Sequence, residues 1–239
     1  MKEIKRLLSC ARRAVDDYNM IEDGDRIAVG VSGGKDSLAL LYALSELRRF
    51  YPKKFTLEAI TIDMGFEGMD FASVEEFCRS IDVNYTIIKT QIADIIFNVR
   101  KESNPCSLCA RMRRGAIYEA AKERGVNKVA LGHNFDDAVE TFMLNLFFEG
   151  RIGCFSPVSY LSRTDLTMIR PLLYAEEKDI RYFASHTYLP IVKSTCPEDK
   201  HTERENMKNL LREIEKNNKG LRHRIFGAMQ KGEIDGFHL

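Results

Sequence analysis

Residues 26–41 read RIAVGVSGGKDSLALL, a short β-branched run that leads into two glycines, a lysine and an apolar stretch. The run predicts a buried strand and the apolar stretch predicts a helix, so the glycines lie in the turn between them. Glycine lets backbone N–H groups approach an anion, while the helix N-terminus and Lys35 add positive charge. The turn therefore predicts a binding site for a phosphate chain. Its spacing differs from both the G-x-x-x-x-G-K-[ST] and the G-x-G-x-x-G loops.

The alternation of short apolar runs with longer amphipathic stretches continues along the chain. Strands are predicted at 26–32, 57–63, 84–90 and 128–133, with weaker candidates at 166–169 and 189–193. Helices are predicted at 3–18, 36–50, 70–81, 106–124, 136–148 and 176–186, and from 202 onward. This rhythm predicts an α/β fold with a mostly parallel, doubly wound sheet, an N-terminal helix and a helical C-terminal extension. We expect a helical appendage at 1–22, a core at 23–195 and a tail at 196–239.

The composition is that of a globular domain. The chain has 239 residues, of which 44% are hydrophobic and 30% are charged, enough to bury a substantial core. No apolar run reaches the roughly 18 residues of a membrane span, and the charged N-terminus does not resemble a secretory signal. We therefore expect a cytoplasmic protein without a membrane partner. In that compartment, its six cysteines are more often ligands, catalysts or buried side chains than disulfides.

The net charge of +1 conceals two basic groups, one around residues 100–124 and one in the tail at 216–224. Clustered base on a nearly neutral protein predicts contact with phosphates. Solvated helix faces balanced by nearby glutamates explain the same charges equally well.

Polar residues also follow the predicted strand at 128–133, where LGH runs into NFDD. Ligands of parallel sheets bind at the carboxyl ends of the strands, so this stretch is expected near the phosphate loop. Gly132 allows a nucleotide to approach, and Asp136 or Asp137 could hold Mg²⁺. Because Asp136 is also a candidate N-cap, Asp137 is the favoured functional residue. For His133, a structural hydrogen bond and an acid–base role both stay open.

The segment PCSLCARMRRG at 105–115 carries a C-x-x-C pair at a predicted helix start. The i, i+3 spacing points both thiols the same way, and the helix N-terminus and the three arginines are expected to lower their pKa values. A closed zinc site needs four ligands, whereas here a single further cysteine, Cys196, stands in STCPED. Zinc, an iron–sulfur cluster, a redox pair and no ligand all stay open on spacing alone. Cys10, Cys78 and Cys154 lack such context.

Five features together resemble the tRNA 2-thiocytidine synthetase (TtcA-type) family of PP-loop N-type ATP pyrophosphatases. They are MIEDGDRIAVGVSGGKDSLALL, PCSLCARMRRGAIYEAA, LGHNFDDAVETFMLNLFFEG, IRPLLYAEEKDI and the lone Cys196, and the likeness runs over about residues 18–229. The resemblance implies an adenine nucleotide alpha hydrolase-like fold and ATP-dependent thiolation of a tRNA pyrimidine, with an anticodon-loop cytidine as the expected base. It also implies a [4Fe–4S] cluster, ATP and Mg²⁺ as cofactors. The implied partners are tRNA and a sulfur donor, either a cysteine desulfurase or sulfide; a homodimer is compatible with the sequence.

The resemblance also assigns residues. The implied cluster ligands are Cys106, Cys109 and Cys196, which leave the fourth iron open. The implied ATP-binding residues are Val31, Ser32, Gly33, Gly34, Lys35, Asp36, Ser37, Ile62, Gly132 and Asp137. The implied catalytic residues are Lys35, Arg113 and Asp137. The expected RNA-binding residues are Arg111, Arg114, Arg222 and Arg224.

Other functions are compatible with the same residues. The substrate could be a tRNA uridine or a small molecule that undergoes the same chemistry. PP-loop amidation with ammonia and a non-catalytic regulator that binds ATP and a redox cluster are the further alternatives. The family often continues its third cluster ligand as C-x-x-C, whereas Cys196 is followed by Pro197-Glu198-Asp199, without the second cysteine.

Overall fold

The computed structural model describes residues 2–100, 105–198 and 203–238. At its centre is a six-stranded sheet in the order β3-β2-β1-β4-β6-β5. The strands are β1 (Asp25–Gly30), β2 (Phe55–Asp63), β3 (Asn84–Lys89), β4 (Lys128–Ala130), β5 (Val158–Leu161) and β6 (Leu166–Ile169). All neighbouring pairs are parallel except β5 and β6. The predicted mostly parallel α/β sheet is confirmed.

The helices connect these strands and extend beyond them. They are α1 (Lys2–Asp17), α2 (Lys35–Phe50), α3 (Ala72–Ser80), α4 (Ile92–Asp94), α5 (Pro105–Glu123), α6 (Phe135–Phe148), α7 (Glu177–His186), α8 (Glu203–Asn217) and α9 (Leu221–Lys231). A π-helical turn at Ile95–Val99 follows α4, and a 3₁₀ turn at Ile234–Gly236 follows α9. Most predicted helices agree with these bounds within one or two residues, because their apolar residues recur at helical spacing. Among the described residues, no helix is both long and apolar enough to cross a bilayer.

Helices cover both faces of the sheet, as the doubly wound prediction requires. On one face, Ile117, Ala120 and Ala121 of α5 pack against buried residues such as Ala28 and Val129. The larger core on the other face is built around α1, α2, α6 and α7, and buried side chains of α8 and α9 join it. Because successive strand residues point to opposite faces, β1 places Ala28 in one core and its two neighbours in the other. The division at residues 22 and 195 stays a prediction.

Three elements differ from the sequence prediction. Residues 189–193 form no strand; instead, the N–H of Val192 donates to the carbonyl of Gly33 at 3.0 Å. The antiparallel strand β5 was not predicted, since four residues with one polar position give a weak periodic signal. Helix α9 was not predicted either. It begins after Gly220, and this glycine adopts a left-handed conformation with φ of 76°. Helix α8 ends at Asn217 and Gly220 is the N-cap of α9, so a new helix begins within what the sequence presents as one tail.

β1 and β4 are neighbours, and their carboxyl ends bring two helix starts together. A Cβ built on Gly132, which follows β4, would lie 3.0 Å from the carbonyl carbon of Asp36 and 3.1 Å from the nitrogen of Ser37. Both atoms belong to the first turn of α2. The absence of a side chain at Gly132 therefore allows two parts of the protein's own backbone to touch. This structural role is separate from the predicted role of Gly132 in nucleotide approach.

Gly132→Ala is expected to destabilise the protein by about 1–3 kcal/mol, the usual range for overpacking. The added methyl group meets backbone atoms, which cannot move without displacing the start of α2. Urea denaturation at equilibrium measures the free energy of unfolding. Gly227→Ala is the control, because a Cβ there meets no atom within 4 Å and alanine favours the helix. Unchanged stability of the Gly132→Ala variant would contradict this account.

Candidate active site

The phosphate loop between β1 and α2 is held in shape by its own serines. The Ser37 hydroxyl donates to the Gly34 carbonyl at 2.9 Å and accepts from the Ser32 N–H at 3.1 Å. Gly33 has φ of 81°, a conformation that favours glycine. A Cβ on Gly33 would also lie 2.9 Å from the Cβ of Val192. Hydroxyl groups and a left-handed glycine of the loop itself therefore fix its shape, and the segment after α7 packs directly on it.

Two further expected ATP-binding residues lie at strand ends: Val31 directly after β1 and Ile62 near the end of β2. Val31 is buried, and its N–H donates to the Ile60 carbonyl at 2.8 Å. Ile62 is half-buried in β2 beside Ile88 of β3. The pairing of β1 with β2 ends at Ile60, so Ile62 lies past the end of that pairing.

Lys35 is positioned by two carboxylates. Its Nζ lies 2.8 Å from Oδ2 of Asp36 and 3.2 Å from Oε1 of Glu177. Burial lowers the pKa of Lys35, but these two carboxylates outweigh burial and leave the pKa above its ordinary value. The lysine is therefore charged, as a phosphate-binding role needs.

Glu177 was not singled out in the sequence. Burial raises its pKa, but Lys208 and Lys35 act more strongly and bring the pKa to about 2. Its second oxygen lies 2.7 Å from Nζ of Lys208 in α8. The signal for Glu177 was present in the segment IRPLLYAEEKDI, which carries the family resemblance without indicating a role for any one carboxylate.

Asp137 has a structural role together with its position at the site. The Asn134 side chain accepts from the Asp137 N–H at 3.1 Å, and Asp137 accepts from the Asn134 N–H at 3.0 Å. This capping box starts α6, so Asn134 is the N-cap and the expectation of that role for Asp136 was wrong. Burial raises the pKa of Asp137, while Arg204, whose Nη1 lies 3.3 Å from Oδ1, opposes the rise.

The two helix starts are joined by a direct hydrogen bond. The Asn134 amide donates to Oδ1 of Asp36 at 3.1 Å. Asp36 and Asp137 thus lie on either side of one asparagine, at the ends of two adjacent parallel strands. Carboxylates so placed fit Mg²⁺, which takes one or two carboxylates and completes its shell with water and substrate phosphates. Among the described residues, no three His, Cys, Asp or Glu side chains form a group that could hold a metal ion.

Glu140, one turn further along α6, is a second carboxylate that the sequence did not reveal. It is 3% exposed. Burial raises its pKa to about 7, with Asp137 adding to the rise. Its Oε1 has no hydrogen-bond partner among the described residues.

The three predicted cluster ligands lie near one another. Cys106 is exposed at the start of α5, and Cys109 is half-buried, with its Sγ 3.5 Å from the Met64 sulfur after β2. Cys196 lies in the segment after α7, and its charge raises the pKa of both other thiols. The fold therefore brings residue 196 within electrostatic range of the C-x-x-C, although the three thiols do not meet as a metal-binding group in the described structure. Cysteine thiolates are the ligands of iron–sulfur clusters, so the chemistry of these donors fits a [4Fe–4S] cluster.

The expected pKa values of these thiols were wrong. Burial is the largest effect, and it raises the pKa of Cys106 and of Cys109 above the ordinary value. Arg113 lowers the pKa of Cys109 by charge and by a hydrogen bond, but burial together with Cys196 and Cys106 leaves that pKa above its ordinary value. Sequence reasoning counted the arginines and the helix N-terminus, and it had no measure of burial.

The remaining candidate residues divide by exposure. Arg111, Arg114 and Arg224 are exposed, as RNA contacts would have to be. Arg222 is 8% exposed and is bonded to Asp136, with Glu215 at 3.3 Å. The expected RNA-binding role of Arg222 is therefore not supported, because its charge is neutralised inside the protein.

His133 and Cys154 have structural surroundings. Nδ1 of His133 accepts from Arg170 at 3.3 Å, and its ring lies 4.8 Å from that of Phe155. Burial and then Arg170 lower the pKa of His133 to about 3, so the ring is neutral. Burial raises the pKa of Cys154 to about 12. These observations favour the structural interpretation for both side chains.

Comparison with known proteins identifies the family. A PP-loop domain model matches residues 7–215. The tRNA-cytidine(32) 2-sulfurtransferase of Geobacter sulfurreducens is 41% identical over 228 residues, which cover 94% of this chain and 89% of that protein. The same enzyme of Syntrophotalea carbinolica is 40% identical over 241 residues, which cover 100% and 91%.

Solved structures agree. The U34-tRNA thiolase NcsA from Methanococcus maripaludis with its [4Fe-4S] cluster superposes with a TM-score of 0.79 at 25% identity, covering 96% of this chain and 78% of that one. A phosphoadenylyl-sulfate reductase from Candida auris, with a TM-score of 0.50 at 14% identity over 79% and 87% of the two chains, shares the fold. Since the relatives match nearly its whole length, the chain belongs to the tRNA-cytidine(32) 2-sulfurtransferase family of PP-loop proteins.

Proposed function

We propose that this protein is an ATP-dependent tRNA sulfurtransferase that adenylates a tRNA pyrimidine and replaces its carbonyl oxygen with sulfur. The expected base is the cytidine at position 32 that the names of the relatives specify. One observation carries the proposal. The segment that leads to Cys196 donates a backbone hydrogen bond from Val192 to Gly33 of the phosphate loop, so a nucleotide site and a thiolate site share one wall.

The chain's own residues account for the first half of the reaction. The base oxygen forms a bond to the α-phosphorus of ATP, and the bond to pyrophosphate breaks. Lys35 binds the phosphate chain and stabilises the charge that develops on it. Asp137 holds the metal or orients the reacting groups, and its place in the capping box fixes its direction. Mg²⁺ is needed because carboxylates crowd the phosphate end of the site and would repel an unmetallated ATP.

The second half requires the thiolates. Cys106, Cys109 and Cys196 are proposed to hold a [4Fe–4S] cluster, which supplies the sulfur that displaces AMP from the activated base. Met64 packs on Cys109, and a Cβ on Gly68 would lie 3.9 Å from the Thr195 methyl group beside Cys196. The loop after β2 thus contacts Cys109 through Met64 and passes close to the residue before Cys196. Arg113, next to the Cys109 sulfur, is placed to stabilise negative charge there.

The proposed RNA surface is the exposed side of α5, where Arg111 and Arg114 lie. A base in a single-stranded loop can leave its stack to reach such a site. Thiolation of a tRNA uridine is the second candidate, favoured by the fold shared with a thiolase that is named for uridine 34. Sequence identity to that thiolase is 25%, against 40–41% to the cytidine sulfurtransferases, so cytidine is the preferred substrate base and uridine the second. The sulfur donor, a homodimer and a cytoplasmic location stay predictions.

Lys35→Ala is expected to abolish tRNA-dependent pyrophosphate release and to leave iron content and folding unchanged. The substitution removes a charge from the phosphate loop and no side chain from the core. Pyrophosphate release is measured on anaerobically prepared protein, with Lys53→Ala as control, since Lys53 pairs with Glu22 on the surface. Turnover within about tenfold of wild type, roughly 1.4 kcal/mol of barrier, would contradict the assignment of this loop.

Cys196→Ala is expected to lose the oxygen-sensitive cluster, because two thiolates are too few to hold a cubane that already has one open iron. Iron and sulfide content and the visible absorption of anaerobic protein are the measurements. Cys10→Ala is the control, since Cys10 lies on α1 within the packing of the main core. Wild-type iron content in the Cys196→Ala variant would contradict the proposed mechanism. Stoichiometric zinc without iron in the wild-type protein would contradict it as well.

The double variant Arg111→Gln/Arg114→Gln is expected to flatten the dependence of tRNA binding on salt. Each lost phosphate contact reduces the slope of log K against log salt by about 0.7 to 0.9. Filter binding over a series of salt concentrations measures the slope. Arg79→Gln on α3 is the control, because Arg79 is exposed and pairs with Glu75 within its own helix. An unchanged slope in the double variant would show that the two arginines are ordinary surface charge.

A further inference from the structure

Helix α8, in the C-terminal part of the chain, lies against the phosphate end of the site. Arg204 places Nη1 3.3 Å from Oδ1 of Asp137 and Nη2 3.0 Å from the Thr141 hydroxyl. One turn later, Lys208 reaches Glu177. The first two turns of α8 therefore contact both helices, α6 and α7, that present carboxylates to the phosphate loop.

Glu177 links Lys208 to the phosphate-loop lysine. One of its oxygens lies 3.2 Å from Lys35 and the other 2.7 Å from Lys208. The two ammonium groups thus share one carboxylate, whose pKa of about 2 keeps it ionised. An anion that replaces Glu177 as the partner of Lys35 would therefore lie close to Lys208 as well.

The cavity next to the phosphate loop has a volume of about 90 Å³. Of the described side chains that line it, six are carboxylates and three are cations: Lys35, Arg204 and Lys208. Two of these three cations come from α8. A polyphosphate cannot enter a site with this excess of negative charge unless the cations face it and a metal accompanies it.

Lys208 also stands between two cavities. A second cleft of about 420 Å³, lined by α7, α8 and α9, shares Lys208, Glu177 and Asp136 with the smaller cavity. The side chain of Lys208 is 16% exposed and that of Glu177 is 15% exposed. A charged ammonium held at this depth, beside the loop lysine, is placed to contact a phosphate group.

We infer that α8 is part of the nucleotide site, where Lys208 binds the pyrophosphate portion of ATP and Arg204 keeps the helix against Asp137. The inference rests on the proposed function for the identity of the ligand. Lysine has three donors, so Lys208 can contact a phosphate oxygen and keep Glu177. The leaving pyrophosphate is then held by one residue of the phosphate loop and one residue of the C-terminal extension.

The test uses the full chain and two probes, α,β-methylene-ATP with Mg²⁺ and AMP, titrated calorimetrically. Lys208→Gln is expected to weaken binding of the ATP analogue by about tenfold or more, the value of one charged hydrogen bond, and to leave AMP binding unchanged. Lys208→Arg keeps the charge and is expected to retain most of the affinity for the analogue. Lys216→Gln is the matched control, since Lys216 is an exposed lysine on the same helix, paired with Glu213, and should change neither affinity.

The outcomes are distinct. Wild-type affinity of Lys208→Gln for the analogue would overturn the inference and leave the proposed function standing. Equal loss of affinity for both probes would also overturn it, because the variant would then have disturbed the whole site. Wild-type protein that fails to bind the ATP analogue would overturn the proposed function, and this inference with it.

Discussion

The contact on which the site depends is the approach of Gly132 to the first turn of α2. A parallel sheet places the ends of β1 and β4 side by side, but only a residue without a Cβ lets their following segments touch. That contact sets Asn134 beside Asp36, and the resulting hydrogen bond aligns the starts of α2 and α6. The phosphate loop and the Asp137 carboxylate face one space as a consequence.

Around that space, carboxylates outnumber cations, and this excess explains much of the local structure. Glu177 forms ion pairs with both Lys35 and Lys208. Asp137 pairs with Arg204, and Asp136 pairs with Arg222. The pairs made by Lys208, Arg204 and Arg222 tie the C-terminal helices α8 and α9 to α6 and α7. A metal and a polyphosphate bound here would compete for these same charged side chains, two of which, Arg204 and Lys208, belong to α8.

The three cysteines proposed as cluster ligands lie at the same edge of the sheet. Cys106 and Cys109 start α5 on one face, whereas Cys196 arrives through a segment that hydrogen-bonds to Gly33. The expectation of low thiol pKa values failed here because burial, which spacing does not report, outweighs the neighbouring arginine. Burial also weakens the prediction of an RNA contact at Arg222, since a basic residue in a basic stretch gives no sign of being buried.

The sequence by itself determined the parallel α/β architecture, the phosphate loop, the C-x-x-C helix start and the family, because these depend on local spacing and on residues adjacent in the chain. Tertiary structure decided what depends on distant residues: Asn134 as the cap of α6, Glu177 and Glu140 at the site, and the backbone role of residues 189–193. It also placed α8 over the phosphate end. Burial and charge pairing are sums over the folded neighbourhood, so no local pattern carries them.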